Sequence, residues 1–135
     1  MVGEFRYEID NCPLIVYEPA IDFIERYLQQ MDARTHSFCE LTVGESACLQ
    51  ARGGASRMIV EYRIGEGEAF RHYVVGRKKS TLFPVKVRYS AGMIQAFTNE
   101  LLTWEEALEL FGAFMDHPQP SSAYLLRETF REQEL

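Results

Sequence analysis

The sequence predicts an α+β fold: an antiparallel sheet of about six to eight short strands with two main α-helices packed on it. Apolar side chains recur at helical spacing in two stretches, near residues 19–32 and 103–116. Between these stretches the apolar period falls to two, as in strands that bury one face. No linker, internal repeat or low-complexity tract divides the chain. Its 135 residues, 47% of them hydrophobic, are therefore expected to form one domain, 1–135, with a core of its own.

The first helix is expected over residues 19 to about 32. Pro19 stands where a first helical residue belongs, and Ile21, Ile24, Leu28 and Met31 form one apolar stripe. The second helix opens at Thr103 with Glu106 three places on. In this capping box each side chain can satisfy the other residue's free backbone N–H. Trp104, Ala107, Leu108, Phe111 and Met115 supply its stripe, and Pro118 follows its end near His117.

The segment RMIVEYRIG sets Met58, Val60, Tyr62 and Ile64 on one face of a strand and Glu61 and Arg63 on the other, which predicts a half-buried antiparallel strand. FRHYVVG and FPVKVRYS repeat the pattern, with GEGEA as the hairpin loop between the first two. SFCELTV and CLQARGG predict a further hairpin around Gly44 and Glu45, followed by a turn at GGAS. MIQAFTNELL and AYLLRETF add two late strands, and RYEIDN with LIVYE adds one or two at the start.

The inventory of reactive residues is thin. His36, His72 and His117 lie far apart with no H-x-x-x-H spacing, so no metal site is expected. His72 reads as a sheet-face residue and His117 as a helix-end residue near free carbonyls. Cys39 shares a strand face with Leu41 and Val43 and is expected in the core, and Cys12 and Cys48 read as structural. GEGEAF has neither the third glycine nor the strand and helix context of a dinucleotide loop, and no G-x-S-x-G elbow occurs. No cofactor and no catalysis are expected.

Twenty acidic and fourteen basic residues give a formal charge of −6, which disfavours a nucleic-acid backbone and favours a basic protein as partner. The odd cysteine count suits a reducing compartment. The charged start MVGEFRYEID lacks a signal-peptide core, and no apolar run approaches the ~18 residues of a membrane span, so a cytoplasmic location without membrane contact is expected. Two charged features stand out. Arg77, Lys78 and Lys79 form a cationic run read as a solvated turn that guards a sheet edge. Glu105, Glu109 and Asp116 lie off the apolar stripe of the second helix, with Gly112 between them, and with Glu66 and Glu68 of the GEGEA loop they are the candidate partner-binding residues.

The segment NELLTWEEALELFGAFMDHPQPSSAYLLRETF, Asn99 to Phe130, joins a strand, a capped helix, a proline-bearing turn and a terminal strand. In this it resembles the C-terminal pattern of small immunity proteins encoded beside the toxins of interbacterial competition systems, among them Rhs, contact-dependent inhibition and type VI effectors. The resemblance covers about the last quarter of the chain. It implies an inhibitor that holds a cognate toxin by surface complementarity, with Leu108, Phe111 and Leu126 in the core; a monomer or homodimer is expected. Arg127 is then either a partner contact or half of a strand-face salt bridge. A second reading, from size and charge, is an acidic secretion chaperone that binds an effector segment. An exposed apolar groove or a dimer-forming helix would distinguish it.

Overall fold

Apolar alternation becomes sheet along most of the chain. The structure, a computed structural model, describes residues 3–66, 69–79 and 82–129. Seven strands form one sheet: β1 (Gly3–Ile9), β2 (Cys12–Tyr17), β3 (Phe38–Val43), β4 (Ala47–Gly54), β5 (Arg57–Glu66), β6 (Ala69–Gly76) and β9 (Leu125–Thr129). Their order is β2-β1-β3-β4-β5-β6-β9, and every neighbouring pair is antiparallel. Two further strands, β7 (Pro84–Tyr89) and β8 (Gly92–Phe97), pair only with each other. The α+β class is as predicted and the sheet's seven strands fall within the expected six to eight, but FPVKVRYS belongs to a separate hairpin, which brings the described residues to nine strands.

Turn chemistry sets much of the register. Asp10 and Asn11 take left-handed φ values of 52° and 65°, the geometry of a two-residue hairpin turn, and join β1 to β2. Gly44, at φ 69°, turns β3 into β4 as expected. The last pair of the β5–β6 hairpin is Glu66 with Ala69.

Both helices, α1 (Ile21–Gln30) and α2 (Trp104–Asp116), pack on one face of the sheet. The first helix starts later than its sequence suggests. Pro19 lies outside it, because the Ala20 carbonyl is the first to accept intrahelical N–H groups, from Phe23 and Ile24. Ile24, Tyr27 and Leu28 are buried, whereas Ile21 is exposed and its Cδ1 lies over Gly112 of α2. The Tyr27 hydroxyl donates toward the carbonyls of Glu8 (2.8 Å) and Phe38 (2.9 Å), tying α1 to β1 and β3.

The second helix has the predicted capping box: the Thr103 hydroxyl accepts the Glu106 N–H, and the Glu106 carboxylate accepts the Thr103 N–H. Its buried arc is Ala107, Leu110, Phe111 and Phe114, wider than the predicted stripe, with Trp104, Leu108 and Met115 half-buried against the same core. Phe5 joins the layers, its ring meeting those of Phe23, Tyr27 and Phe111 edge-on at 6.0–6.3 Å.

The opposite face is only partly covered. Val87 and Ala96 of the β7–β8 hairpin bury against Ile59 and Val74 of the sheet, a second, smaller apolar cluster. Glu8 holds the hairpin turn: its carboxylate accepts from the Ser37 N–H and hydroxyl on one oxygen and from the Ser90 hydroxyl on the other. Beyond β8 the chain forms a short 3-10 turn, Thr98–Glu100, where MIQAFTNELL had suggested a longer strand. Gly76 makes room for this turn, since a Cβ there would sit 2.4 Å from the Asn99 amide nitrogen. The chain then pairs Leu102 with Met58 before α2 begins.

Candidate protein-binding surface

The four-residue spacing from Glu105 to Glu109 and the seven-residue spacing from Glu109 to Asp116 set these carboxylates along one side of α2, and all three are exposed. Glu106, one residue off this line, is engaged elsewhere. The Arg77 guanidinium donates to both its oxygens. Partial burial pushes the Glu106 carboxyl up, but the bonds from Arg77 and Thr103 outweigh it and hold the group below its ordinary range. The Arg77–Lys79 run is thus not a free turn: Arg77 grips α2, and Lys78 Nζ donates to the Ser122 carbonyl at 3.0 Å.

A groove of about 580 Å³ adjoins the C-terminal end of α2. Pro118 and Pro120 form one wall, Gly65 and Ala69 another, and Tyr73 and Val43 also line it. The end of the β5–β6 hairpin, where Glu66 pairs with Ala69, therefore lies beside the segment that leaves Asp116. Glu66 pairs through its backbone with Ala69, which lines this groove, and none of Glu105, Glu109 and Asp116 is among the lining residues. Glu68 lies outside the described residues.

Sequence reasoning missed a second charged site, under the β7–β8 hairpin. A cleft of about 800 Å³ separates the hairpin from the sheet. Glu61, expected at the solvent face of β5, is 4% exposed and ion-paired with Arg52, which is 7% exposed. Gln50 also donates to Glu61, at 2.9 Å, and the Arg52 guanidinium lies 5.1 Å from the centre of the Tyr89 ring. At the cleft edge Arg127 donates two hydrogen bonds to Glu100, at 2.8 and 2.9 Å, and stacks over Phe97. Arg127 thus makes the salt bridge that its strand position suggested.

Comparisons with known protein families, with curated sequences and with solved structures find no match.

The remaining candidates divide by burial. Cys39 and Cys48 are buried, and burial pushes both thiols far above their ordinary range, away from the thiolate form that nucleophilic chemistry needs. Cys12, read as structural, is exposed instead, because it begins β2 at the sheet edge. His72 is a sheet-face residue as read, buried on β6 opposite Arg63 and Thr129. His117 caps α2 through its backbone N–H, which donates to the Ala113 carbonyl, while the residue itself is exposed. Among the described residues, no three His, Cys, Asp or Glu side chains are grouped to hold a metal ion. Among the same residues, no helix is long and apolar enough to cross a membrane.

Proposed function

We propose that this chain is an immunity protein that binds and neutralises a basic, cognate toxin domain in the cytoplasm. The observation that carries the reading is the line of exposed carboxylates Glu105, Glu109 and Asp116, continued by a groove at the end of the same helix. It belongs to the segment that resembles immunity proteins. Carboxylates aligned on a rigid helix attract a basic surface over a Debye length of about 8 Å at physiological salt, and the groove offers apolar contact once the two meet. Binding of this kind uses surface complementarity and needs neither cofactor nor nucleophile.

The secretion-chaperone reading has two observations in its favour: the groove itself, which is the feature expected to distinguish it, and a sheet edge. The edge strand β2 carries no charged residue and exposes Leu14, Ile15 and Tyr17, so an extended effector segment could add to it as a further strand. Co-expression separates the two. Cells making a toxin encoded beside this protein are expected to survive when the protein is present, and a purified complex is expected to contain the folded toxin domain. Death at the same rate with and without the protein would remove the immunity reading.

A further inference from the structure

We propose that the cleft between the β7–β8 hairpin and the sheet binds a small organic anion, a carboxylate carried on an apolar body. Its volume, about 800 Å³, falls within the range of roughly 300–1,000 Å³ common for small-ligand sites. Val85, Ile94, Phe97 and Val74 make apolar walls. Of its charged lining residues, Arg52, Lys86 and Arg127 are cationic and Glu61 alone is anionic. The local charge is therefore opposite in sign to the chain's −6, so an anion repelled by most of the surface would still be held here.

Hydrogen-bonding capacity points the same way. The Arg52 side chain is only 8% exposed and donates through its two terminal nitrogens to Glu61 and Tyr89, leaving its buried Nε–H with no acceptor among the described residues. The buried Thr129 hydroxyl likewise has no partner among them. Glu61 is already taken up by Arg52 and Gln50. Arg127 uses Nε and one terminal nitrogen on Glu100, which leaves its other terminal nitrogen to donate. The Thr129 hydroxyl and the Gln95 amide can accept as well as donate, so the excess of donors in the cleft rests on its guanidinium and ammonium groups. The remaining Arg127 nitrogen and the Lys86 ammonium are the donors that a carboxylate in the cleft reaches, since the Arg52 Nε and the Thr129 hydroxyl are buried away from its surface. One negative charge fits better than two, since Glu61 stays within the lining and repels a second. The apolar walls select against small hydrophilic anions.

Octanoate is a direct probe, with octan-1-ol, octylammonium and acetate as controls at constant ionic strength. Calorimetric titration is expected to show octanoate binding at least tenfold tighter than any control, with amide NMR shifts concentrated at residues 93–97 and 127–129. Lys86→Gln removes an exposed cation at the rim, and Ile94→Asp sets a carboxylate in the apolar wall. Each is expected to weaken octanoate severalfold or more while preserving the amide spectrum of the sheet. Arg127→Gln should do the same, and because it also breaks an ion pair, the other two variants carry the test if it does not fold. Equal affinity for octanol and octanoate, shifts elsewhere on the molecule, or unchanged affinity in both Lys86→Gln and Ile94→Asp would overturn the proposal.

Discussion

At the scale of single residues, the sharpest departure from expectation is the Arg52–Glu61 pair. Alternation places Glu61 opposite Val60 and Tyr62, and so toward solvent. The covering hairpin turns that position into an interior one, where a lone charge is expensive. Truncating Glu61 to alanine strands the Arg52 guanidinium and is expected to cost about 3–5 kcal/mol. The double variant Arg52→Met with Glu61→Leu should regain most of that loss, since no charge is left unpaired. Urea midpoints of the two proteins compare them directly, and a double variant no more stable than the single one would contradict this account.

Asp32 poses a different residue-scale question. Its carboxylate accepts from the backbone N–H groups of Arg34, Thr35 and His36, each at 2.9 Å, and from the Thr35 hydroxyl. Desolvation pushes its pKa up, but these donors outweigh it and hold the group well below the usual carboxylate range. A folded-state pKa below the unfolded one stabilises the protein above the unfolded value, about 3.9, and that contribution fades as pH falls through this region toward the folded value. Asp32→Ala is therefore expected to cost about 1 kcal/mol at neutral pH, as for loss of a capping carboxylate. The gap from the parent should narrow steadily below about pH 4. Denaturation midpoints measured from pH 7 down to the acid limit of folding would show this, and a gap independent of pH would count against it.

At the scale of elements, α2 is specified locally and the hairpin is not. Thr103 and Glu106 cap α2 from within the sequence, and Phe111 is fully buried against the sheet, its ring meeting that of Phe5 on β1. Phe111→Ala is expected to destabilise by about 3–5 kcal/mol, because the cavity lies between a helix and a seven-stranded sheet that cannot both relax into it. A denaturation midpoint unchanged by the substitution would refute that packing. The β7–β8 hairpin instead depends on distant partners: Ile59 and Val74 beneath it, and Glu8 and Ser37 at its turn. The edges show the converse effect. Leu126, expected in the core, is instead 37% exposed, because α2 packs over β4 and β5 and β9 lies beyond that cover.

At the scale of the whole molecule, the acidic excess bears on how a partner arrives more than on how tightly it stays. Rim charges mainly accelerate encounter, and screening weakens them. Replacing Glu105, Glu109 and Asp116 together by lysine is expected to slow association with a basic toxin domain by about an order of magnitude or more at low salt. Dissociation should change less, and the far-UV spectrum should not change. Surface plasmon resonance across a salt series reads both rates. An association rate unaffected at low salt would place the interface elsewhere.

Much of the fold was legible because its signals are local. Capping at Thr103, the turn at Gly44 and the alternation from Met58 to Ile64 each involve residues a few positions apart, and the backbone geometry they favour does not depend on the rest of the chain, whereas the turn at Asp10–Asn11 lay inside a segment read as strand. The exposed line Glu105, Glu109 and Asp116 was legible for the same reason, since helical spacing alone sets the three on one side. Which strands share a sheet could not be read this way. FPVKVRYS alternates as a sheet strand does, and only packing against Ile59 and Val74 makes it half of a flap. The cleft, its paired Arg52 and Glu61, and the approach of Gly65 to Pro118 depend on contacts between residues far apart in sequence. Periodicity reports that one face of a strand is buried and is silent on whether something later covers the other, so burial of those charges was decided by tertiary structure.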